Sequence, residues 1–269
     1  MNHFRWHLLP PVTDEHPINI SGSSPLISQL LFNRGLSQPS QVELFIAADK
    51  RLAANPWLLP DTHQAVGRIY QALLSGEKIA IYGDFDVDGI TGTALLIKGL
   101  TILGGETIPY IPHRLKEGHG LNTTALNALQ RQGISLVITV DCGITGLSVA
   151  KKAKQEGLDL IITDHHAPLD ELPLAIAVVN PKRSDSVYPL SELAGVGVAF
   201  KLLDALYQSM GREELLDEML DLVALGTVAD MMPLLGENRY LVKEGLKLLN
   251  TAPRPGIREM AALTGLNLG

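Results

Sequence analysis

Between about residue 77 and residue 179, short apolar runs alternate with stretches whose apolar residues recur at helical spacing. The runs predict buried strands, and the stretches between them predict amphipathic helices. Strands that are apolar throughout are typical of a parallel sheet covered by helices on both faces. We therefore predict an α/β fold with an open, mostly parallel, doubly wound sheet. The predicted strands are 78–82, 107–111, 135–140, 159–163 and 175–179, and the predicted helices between them are 90–103, 122–132 and 145–155.

Helical patterns flank this sheet on both sides. Residues 25–34 have apolar residues at helical spacing, and Asp61 is a predicted N-cap for the next helix. The predicted buried face of that helix consists of Ala65, Val66, Ile69, Tyr70 and Leu73. Later helices are predicted at 198–210, 213–225 and 240–249. We expect residues 1–76 to form an N-terminal helical cap, which we favour over a DNA-binding helix-turn-helix. Residues 77–235 would form the main α/β domain, and 236–269 a connecting helical region.

The composition indicates a globular protein and leaves its substrate open. Hydrophobic residues make up 46% of the 269 residues and charged residues 19%, which is unlike a disordered chain. No apolar run is long enough for a membrane span, no signal peptide is visible, and a single cysteine excludes internal disulfides, so we expect a cytoplasmic protein without a membrane partner. The net charge of −7 disfavours a generic nucleic-acid binder, but two bound divalent cations would reduce it to −3. Charge alone therefore does not decide the substrate.

Acidic and histidine residues follow three of the predicted strands at the point where each strand ends. They are Asp84, Asp86 and Asp88 after the first strand, Asp141 after the third, and Asp164, His165 and His166 after the fourth. Ligands of open α/β sheets bind outside the carboxyl ends of the strands, so we expect these side chains to share one site. Asp230, at the end of the apolar helical run 223–229, is predicted to join them.

This residue set predicts a metal centre. Mixed carboxylate and imidazole ligands favour Mn²⁺ or Mg²⁺. The number of carboxylates suggests two ions about 3.5–4 Å apart that promote hydrolysis of a phosphoester or phosphoanhydride. The spacing of Asp84, Asp86 and Asp88 before Gly89 also begins an EF-hand loop. That interpretation fails because the loop requires a glutamate where Leu95 stands, and a preceding helix instead of a strand.

The order of these residues resembles a known family. Four segments, Asp84–Gly89, Val140–Gly143, Asp164–His166 and Asp230, are together similar to the DHH phosphoesterase superfamily. Within it they resemble the bacterial 5′-to-3′ exonucleases specific for single-stranded DNA. The likeness extends from about residue 30 to the end of the sequence and includes the blocks 112–114, 118–122, 179–182 and 194–201. The resemblance implies a two-metal exonuclease that acts in DNA repair and recombination and releases 5′-mononucleotides.

The resemblance also implies roles for individual residues. Asp141 is expected to bridge the ions, and Asp84 either ligates an ion or lies just outside the ligands. His166 is expected to contact phosphate or assist as an acid, or alternatively to orient His165. Tyr82 stands where many relatives have a histidine, so the first metal site could be looser. The full expected ligand set is Asp86, Asp88, Asp141, His165 and Asp230, with Asp84 as a possible addition.

Four further residues are candidates for substrate binding. Arg114 would grip a phosphate through its guanidinium group, although it could instead be a solvated loop arginine. His119 would stack on a base. Gly195 and Gly197 open a helix and would present backbone N–H groups to a phosphate, although tight helix packing explains them equally well.

Single-stranded DNA is the partner that the resemblance implies, together with a single-strand-binding protein and a RecQ-type helicase. Relatives carry a second domain and an OB-fold after the connecting helix, and we expect the present chain to be the N-terminal catalytic part. Two alternatives stay open. One is a DHH-family pyrophosphatase or phosphodiesterase of cyclic dinucleotides or short oligonucleotides. The other is a non-enzymatic scaffold, which the filled ligand positions disfavour.

Overall fold

The computed structural model describes Arg5, residues 7–12 and residues 24–266. The chain divides into two compact units, Met1–Ala53 and Ala54–Gly269. Helix α3 (Thr62–Ser75) thus belongs to the second unit, although the sequence placed it in the cap that ends at residue 76. The three-domain division stays a prediction. Within the described residues, no helix combines the length and apolar character needed to cross a membrane.

The described residues of the first unit form two short helices, α1 (Pro25–Phe32) and α2 (Pro39–Ala47), and a 3₁₀ turn at Lys50–Leu52. Both helices begin with proline, whose fixed φ suits the first helical position. Ser24 caps α1 by accepting a hydrogen bond from Leu26 N. Leu31 and Val42 form a small buried cluster between the two helices.

The second unit is built on a parallel sheet of five strands. They are β1 (Lys78–Gly83), β2 (Glu106–Tyr110), β3 (Ile134–Val140), β4 (Asp159–Thr163) and β5 (Ala177–Val179). Their order is β2-β1-β3-β4-β5, and every neighbouring pair is parallel. The predicted parallel sheet is therefore confirmed. Because β1, β3 and β4 are adjacent, the polar residues after these three strands meet at one edge.

Helices cover both faces of this sheet, which confirms the doubly wound arrangement. The crossover helices are α4 (Val87–Ile102), α5 (Thr123–Arg131) and α6 (Leu147–Gln155), and the later helices are α7 (Gly195–Met210), α8 (Leu220–Ala229), α9 (Gly236–Thr251) and α10 (Pro255–Thr264). One core cluster combines α3, α4, α7, α8 and α9 with side chains of β1 and β3. A second cluster combines α5 and α6 with the opposite faces of the same strands.

Several helix predictions were wrong in their bounds. Residues 213–219 form two 3₁₀ turns before α8, and the i,i+3 spacing of such turns buries Leu216 and Met219 on one side. Helices α4 and α7 each begin three residues earlier than predicted, and α10 was not predicted. Tyr70 is 44% exposed because it lies one residue, about 100° around the helix, from buried Ile69.

Asp61 occupies the predicted N-cap of α3, but its carboxylate does not cap the helix. Its Oδ2 instead accepts hydrogen bonds from Val178 N, at 3.0 Å, and from Arg183 Nη1, at 2.6 Å. The side chain therefore ties α3 to strand β5, which is a tertiary role that a local capping pattern does not reveal.

Candidate metal centre

The segment between β1 and α4 supplies three carboxylates. β1 ends at Gly83, and Asp86 then caps α4 by accepting a hydrogen bond from Gly89 N at 3.0 Å. Asp88 therefore lies in the first turn of α4, where its side chain is buried. A Cβ on Gly89 would lie 2.5 Å from Asp84 N, so the tight turn requires glycine there.

The buried carboxylate of Asp88 is held by the N-terminus of helix α7. Gly195 N donates to Asp88 Oδ2 at 2.6 Å and Val196 N donates to Oδ1 at 2.7 Å. A helix N-terminus favours a negative charge at this position. Burial and the charge of Asp141 nevertheless raise the Asp88 pKa to about 7. The side chain is thus fixed in position by two backbone N–H groups, and burial disfavours its charged form.

Asp141 and His165 lie at the centre of the cluster, after β3 and β4. His165 Nε2 lies 3.0 Å from Asp141 Oδ1, 3.5 Å from Asp230 Oδ2 and 3.8 Å from Asp88 Oδ2. Asp141 has φ of 60°, a left-handed conformation that is uncommon for residues other than glycine. Side chains from α4, β3, β4 and the C-terminus of α8 therefore converge on one point.

Three of the converging atoms lack hydrogen-bond partners within the part of the chain that the structure describes. Among the described residues, Asp141 Oδ1, His165 Nε2 and Asp230 Oδ2 are buried without a hydrogen bond, although they lie close together. Burial and the charge of Asp86 raise the Asp141 pKa to about 9. Buried polar atoms are normally paired, and clustered carboxylates repel one another. A divalent cation would satisfy both conditions at once, so these residues fit the metal that the sequence predicts.

Among the described residues, two groups of three side chains have the spacing to hold an ion. One group is Asp88, His165 and Asp230, and the other is Asp141, His165 and His166. In each group the potential ligand atoms lie within 4.8 Å of one another. The structure thus brings together five of the predicted site residues.

Asp164 orients the two histidines, a role that the sequence did not assign. Its Oδ1 accepts hydrogen bonds from His165 N at 2.7 Å, His166 N at 3.0 Å and His166 Nδ1 at 2.8 Å, and its Oδ2 accepts from Ile144 N at 2.9 Å. Although burial opposes ionisation, these hydrogen bonds hold the Asp164 pKa below its usual value. The hydrogen bond to Asp164 raises the His166 pKa to about 9. An aspartate directly before a histidine pair at a strand end is the signal that could have indicated this role.

Asp84 lies beside the cluster, and its contacts differ from those of the other carboxylates. Its Oδ1 accepts from Phe85 N at 2.6 Å, and its Oδ2 lies 3.0 Å from His119 Nδ1. It lines a cavity of about 270 Å³ together with Asp141 and His166. Asp84 therefore faces the same cavity as the metal cluster without belonging to either group of three. Its predicted place near the ligands stays a prediction.

The predicted substrate residues Arg114 and His119 lie at the rim, around Phe85. The Arg114 guanidinium carbon lies 5.1 Å from the centre of the Phe85 ring, and the rings of His119 and Phe85 are 4.2 Å apart. Both predicted residues are exposed. They are therefore accessible to a substrate, and their binding roles stay predictions.

Asp86 was predicted to be a ligand, and Tyr82 stands where many relatives have a histidine. Asp86 is exposed and uses its carboxylate as the cap of α4, so its contribution as a ligand stays a prediction. Tyr82 is fully buried, and its hydroxyl donates to Gly120 O at 3.0 Å.

Glycines allow the helices to approach these carboxylates closely. A Cβ on Gly195 would lie 2.5 Å from Asp141 Cβ, and one on Gly226 would lie 2.9 Å from Asp88 Oδ1. The N–H of Gly195 is already bonded to Asp88, whereas Gly197 only packs against Leu193 at 3.5 Å. Phosphate binding by Gly195 and Gly197 stays a prediction. The structure shows a packing role for Gly195, and Gly226, one helical turn before Asp230, was missed.

Residues 78–227 match the model of the DHH family, N-terminal domain. The chain is 43% identical over 270 residues to the single-stranded-DNA-specific exonuclease RecJ of Bacillus subtilis, covering 98% of this chain and 33% of that protein.

Two solved structures share this fold. The structure of RecJ from Thermus thermophilus in complex with Mn²⁺ matches with a TM-score of 0.75 and 33% identity, over 90% of this chain and 34% of that chain. The structure of RecJ from the same organism in complex with Mg²⁺ matches with a TM-score of 0.63 and 32% identity, over 90% and 30% of the two chains. The chain thus spans about a third of the length of these relatives. Because the family model matches more than half of the chain, the protein belongs to the DHH family.

Proposed function

We propose that this chain is the catalytic part of a metal-dependent exonuclease that degrades single-stranded DNA from the 5′ end and releases 5′-mononucleotides. The observation that carries the proposal is the convergence of Asp88, Asp141, His165 and Asp230. Among the described residues, Asp141 Oδ1, His165 Nε2 and Asp230 Oδ2 are buried there without a hydrogen bond. Its relatives support the substrate, because those proteins are named as single-stranded-DNA-specific exonucleases. DNA repair and recombination is the process we propose for it.

The metal is proposed to be Mn²⁺ or Mg²⁺, in two ions, as supported by the related structures in complex with these ions. Asp86, Asp88, Asp141, His165 and Asp230 would hold the ions. Asp141 is the proposed bridge, a role that rests on the family resemblance, and its Oδ1 lies 3.0 Å from His165 Nε2. When bound, such ions stabilise negative charge on phosphoryl oxygens and lower the pKa of an attacking water.

His166 is proposed to act on the phosphate. Its Nδ1 is bonded to Asp164 at 2.8 Å, and this hydrogen bond raises the His166 pKa to about 9. Its side chain is 58% exposed, which leaves it accessible to a substrate. A protonated imidazole at this place can contact a phosphate oxygen or donate a proton to the leaving oxygen.

Arg114 and His119 are proposed to hold the strand. The guanidinium group of Arg114 matches the geometry of phosphate oxygens. His119, held beside Asp84 and against Phe85, offers an exposed ring on which a base can stack. Substrate contacts of this kind would position the strand beside the residues that would hold the ions.

A substrate panel tests this proposal against the alternatives. The 269-residue chain is incubated in Mn²⁺ or in chelator with a 5′-phosphorylated single strand, the matching duplex, pyrophosphate and a cyclic dinucleotide. We expect Mn²⁺-dependent release of mononucleotides from the single strand alone. Hydrolysis of pyrophosphate or of the dinucleotide without cleavage of the strand would overturn the proposal and favour a smaller substrate.

The proposed setting is the cytoplasm, with a single-strand-binding protein and a RecQ-type helicase as partners. Support for these partners comes only from the family resemblance. A pull-down of each purified candidate partner by the immobilised chain tests the two partners separately. A failure to retain either protein would remove that partner without affecting the activity proposed above.

A further inference from the structure

The loop of residues 111–122, between β2 and α5, carries both Arg114 and His119. His119 lies between Gly118 and Gly120, whose φ angles are 75° and 81°. An added Cβ at either glycine would meet no atom within 4 Å. This part of the loop is therefore not fixed by close packing, and something else must hold it in place.

The hydroxyl group of Tyr82 anchors the loop to strand β1. Tyr82 is fully buried, and its ring stacks on Tyr110 with the ring centres 5.0 Å apart. Its Oη donates to Gly120 O at 3.0 Å and accepts from Asn122 Nδ2 at 3.3 Å. The Tyr82 side chain, which belongs to strand β1, thus fixes the backbone carbonyl of the residue that follows His119.

The carboxylate of Glu117 joins the two ends of the same loop. It accepts hydrogen bonds from Tyr110 Oη at 2.5 Å, His113 N at 2.7 Å and Asn122 Nδ2 at 3.3 Å. The hydrogen bonds from His113 N and Tyr110 Oη hold the Glu117 pKa below its usual value. The Glu117 carboxylate therefore connects hydrogen-bond donors that precede Arg114 in the chain with one that follows it.

From these contacts we infer that Tyr82 and Glu117 are positioning residues for the substrate loop. They hold residues 111–122 so that His119 meets Asp84 and Arg114 lies over Phe85 before any substrate arrives. The inference rests on the proposed function for the identity of the substrate as a single DNA strand. A loop that is ordered in advance loses less entropy on binding. Loss of the anchor should therefore raise KM for the strand and leave kcat unchanged.

The test compares Tyr82→Phe, which loses one hydroxyl group of the anchor, with Tyr207→Phe as a matched control. Tyr82→Phe keeps the ring stack and removes the hydrogen bonds to Gly120 and Asn122. Tyr207→Phe removes an equivalent bond, because the buried Tyr207 Oη donates to Gly99 O at 3.0 Å on helices α7 and α4. We expect Tyr82→Phe to raise KM for a 5′-phosphorylated strand about 2–10-fold, which is the value of the 3.0 Å hydrogen bond to Gly120 O alone. Tyr207→Phe should leave KM unchanged, and both variants should keep the rise in Tm caused by Mn²⁺.

A coupling experiment separates positioning from a general loss of stability. In the Arg114→Ala/His119→Ala background, Tyr82→Phe should have no further effect on KM, because the residues it positions are gone. An equal KM effect in that background, or an equal effect of Tyr207→Phe, would overturn the inference. Glu117→Gln serves as a second variant with the same expected pattern, since it retains the size of the side chain.

Hydrogen exchange keeps this test independent of the exonuclease proposal. Amides of residues 111–122 should exchange faster in Tyr82→Phe than in the wild type, while those of α7 should not. If the wild-type chain fails to cleave DNA, the proposed function fails, and faster exchange would still support the anchor. Unchanged exchange in the loop would refute the anchor whatever the activity.

Discussion

Replacing Gly195 with alanine probes how closely helix α7 must approach the metal cluster. The added Cβ would lie 2.5 Å from Asp141 Cβ and 2.9 Å from Asp141 Cα. Because these atoms belong to the backbone and the base of the side chain, they cannot rotate away, and either α7 or Asp141 must shift. Overpacking of this kind costs about 1–3 kcal/mol. For a unit of this size, Tm should fall by about 2–12 °C.

Gly195→Ala should weaken metal binding more than it lowers the stability of the apo protein. A shift of α7 also moves the N–H groups of Gly195 and Val196, which hold Asp88. An ion at 100 times its Kd stabilises a protein by about 2.7 kcal/mol, which is about 5–11 °C in Tm here. We expect most of this Mn²⁺-dependent rise to be lost in Gly195→Ala.

Gly197→Ala is the matched control on the same helix. The nearest atoms to its added Cβ are side-chain carbons of Leu193 at 3.5 Å, an ordinary contact. The control should keep the full Mn²⁺-dependent rise and gain up to about 1 kcal/mol from its better helix propensity. Thermal melts of both variants in chelator and in Mn²⁺ make the comparison. Equal Mn²⁺-dependent rises in the two variants would refute the argument that close approach of α7 shapes the site.

Three further predictions concern pH, the central carboxylate and a buried ion pair. The Mn²⁺-dependent rise in Tm should shrink from about pH 8.5 to about pH 6, since burial raises the pKa of Asp88 and Asp141 and both must lose protons to bind the ion. In chelator the pH dependence is opposite: raised carboxyl pKa values make the stability of the apo protein fall as pH rises from about 4 toward 9. A Tm that does not change with pH, in Mn²⁺ or in chelator, would contradict the corresponding prediction. Asp141→Asn should abolish cleavage and the Mn²⁺-dependent rise in Tm. Its Tm in chelator should equal or exceed that of the wild type, because the substitution removes a buried carboxylate that its neighbours repel. Near-normal turnover would disprove the role assigned to Asp141. Lys201→Met leaves the buried Glu237, whose Oε1 lies 3.0 Å from Lys201 Nζ, without its cation. The free energy of urea unfolding should fall by about 3–5 kcal/mol, while the Mn²⁺-dependent rise in Tm stays intact. A loss below about 1 kcal/mol would contradict this prediction.

The location of the site could be predicted from the sequence because it depends on strand ends. Asp84, Asp141 and His165 each follow an apolar run, and parallel strands place their carboxyl ends at one edge. Only the adjacency of β1, β3 and β4 had to be supplied by the fold. The lateral order of strands depends on how the helices pack, which no local pattern contains.

The contacts within the site could not be predicted in the same way. Asp88 is held by Gly195, 107 positions further along the chain, through a backbone N–H that has no residue signature. Helix α4 was predicted to begin at Ile90 because its apolar periodicity begins there, whereas the cap formed by Asp86 starts it at Val87. That difference of one turn places Asp88 inside the helix and aims it at the cluster. Tertiary contacts and caps, not hydrophobic spacing, decide such details.

Cleavage of a 3′-labelled, 5′-phosphorylated single strand is the measurement that tests the central claim most directly. The wild-type chain and Asp141→Asn are incubated with it in Mn²⁺, in Mg²⁺ and in chelator, with a duplex as the control substrate. The account predicts shortening of the single strand from its 5′ end by the wild type, only in the presence of metal. Metal-independent cleavage, or equal cleavage by Asp141→Asn, would contradict the assignment of this cluster as the catalytic metal centre.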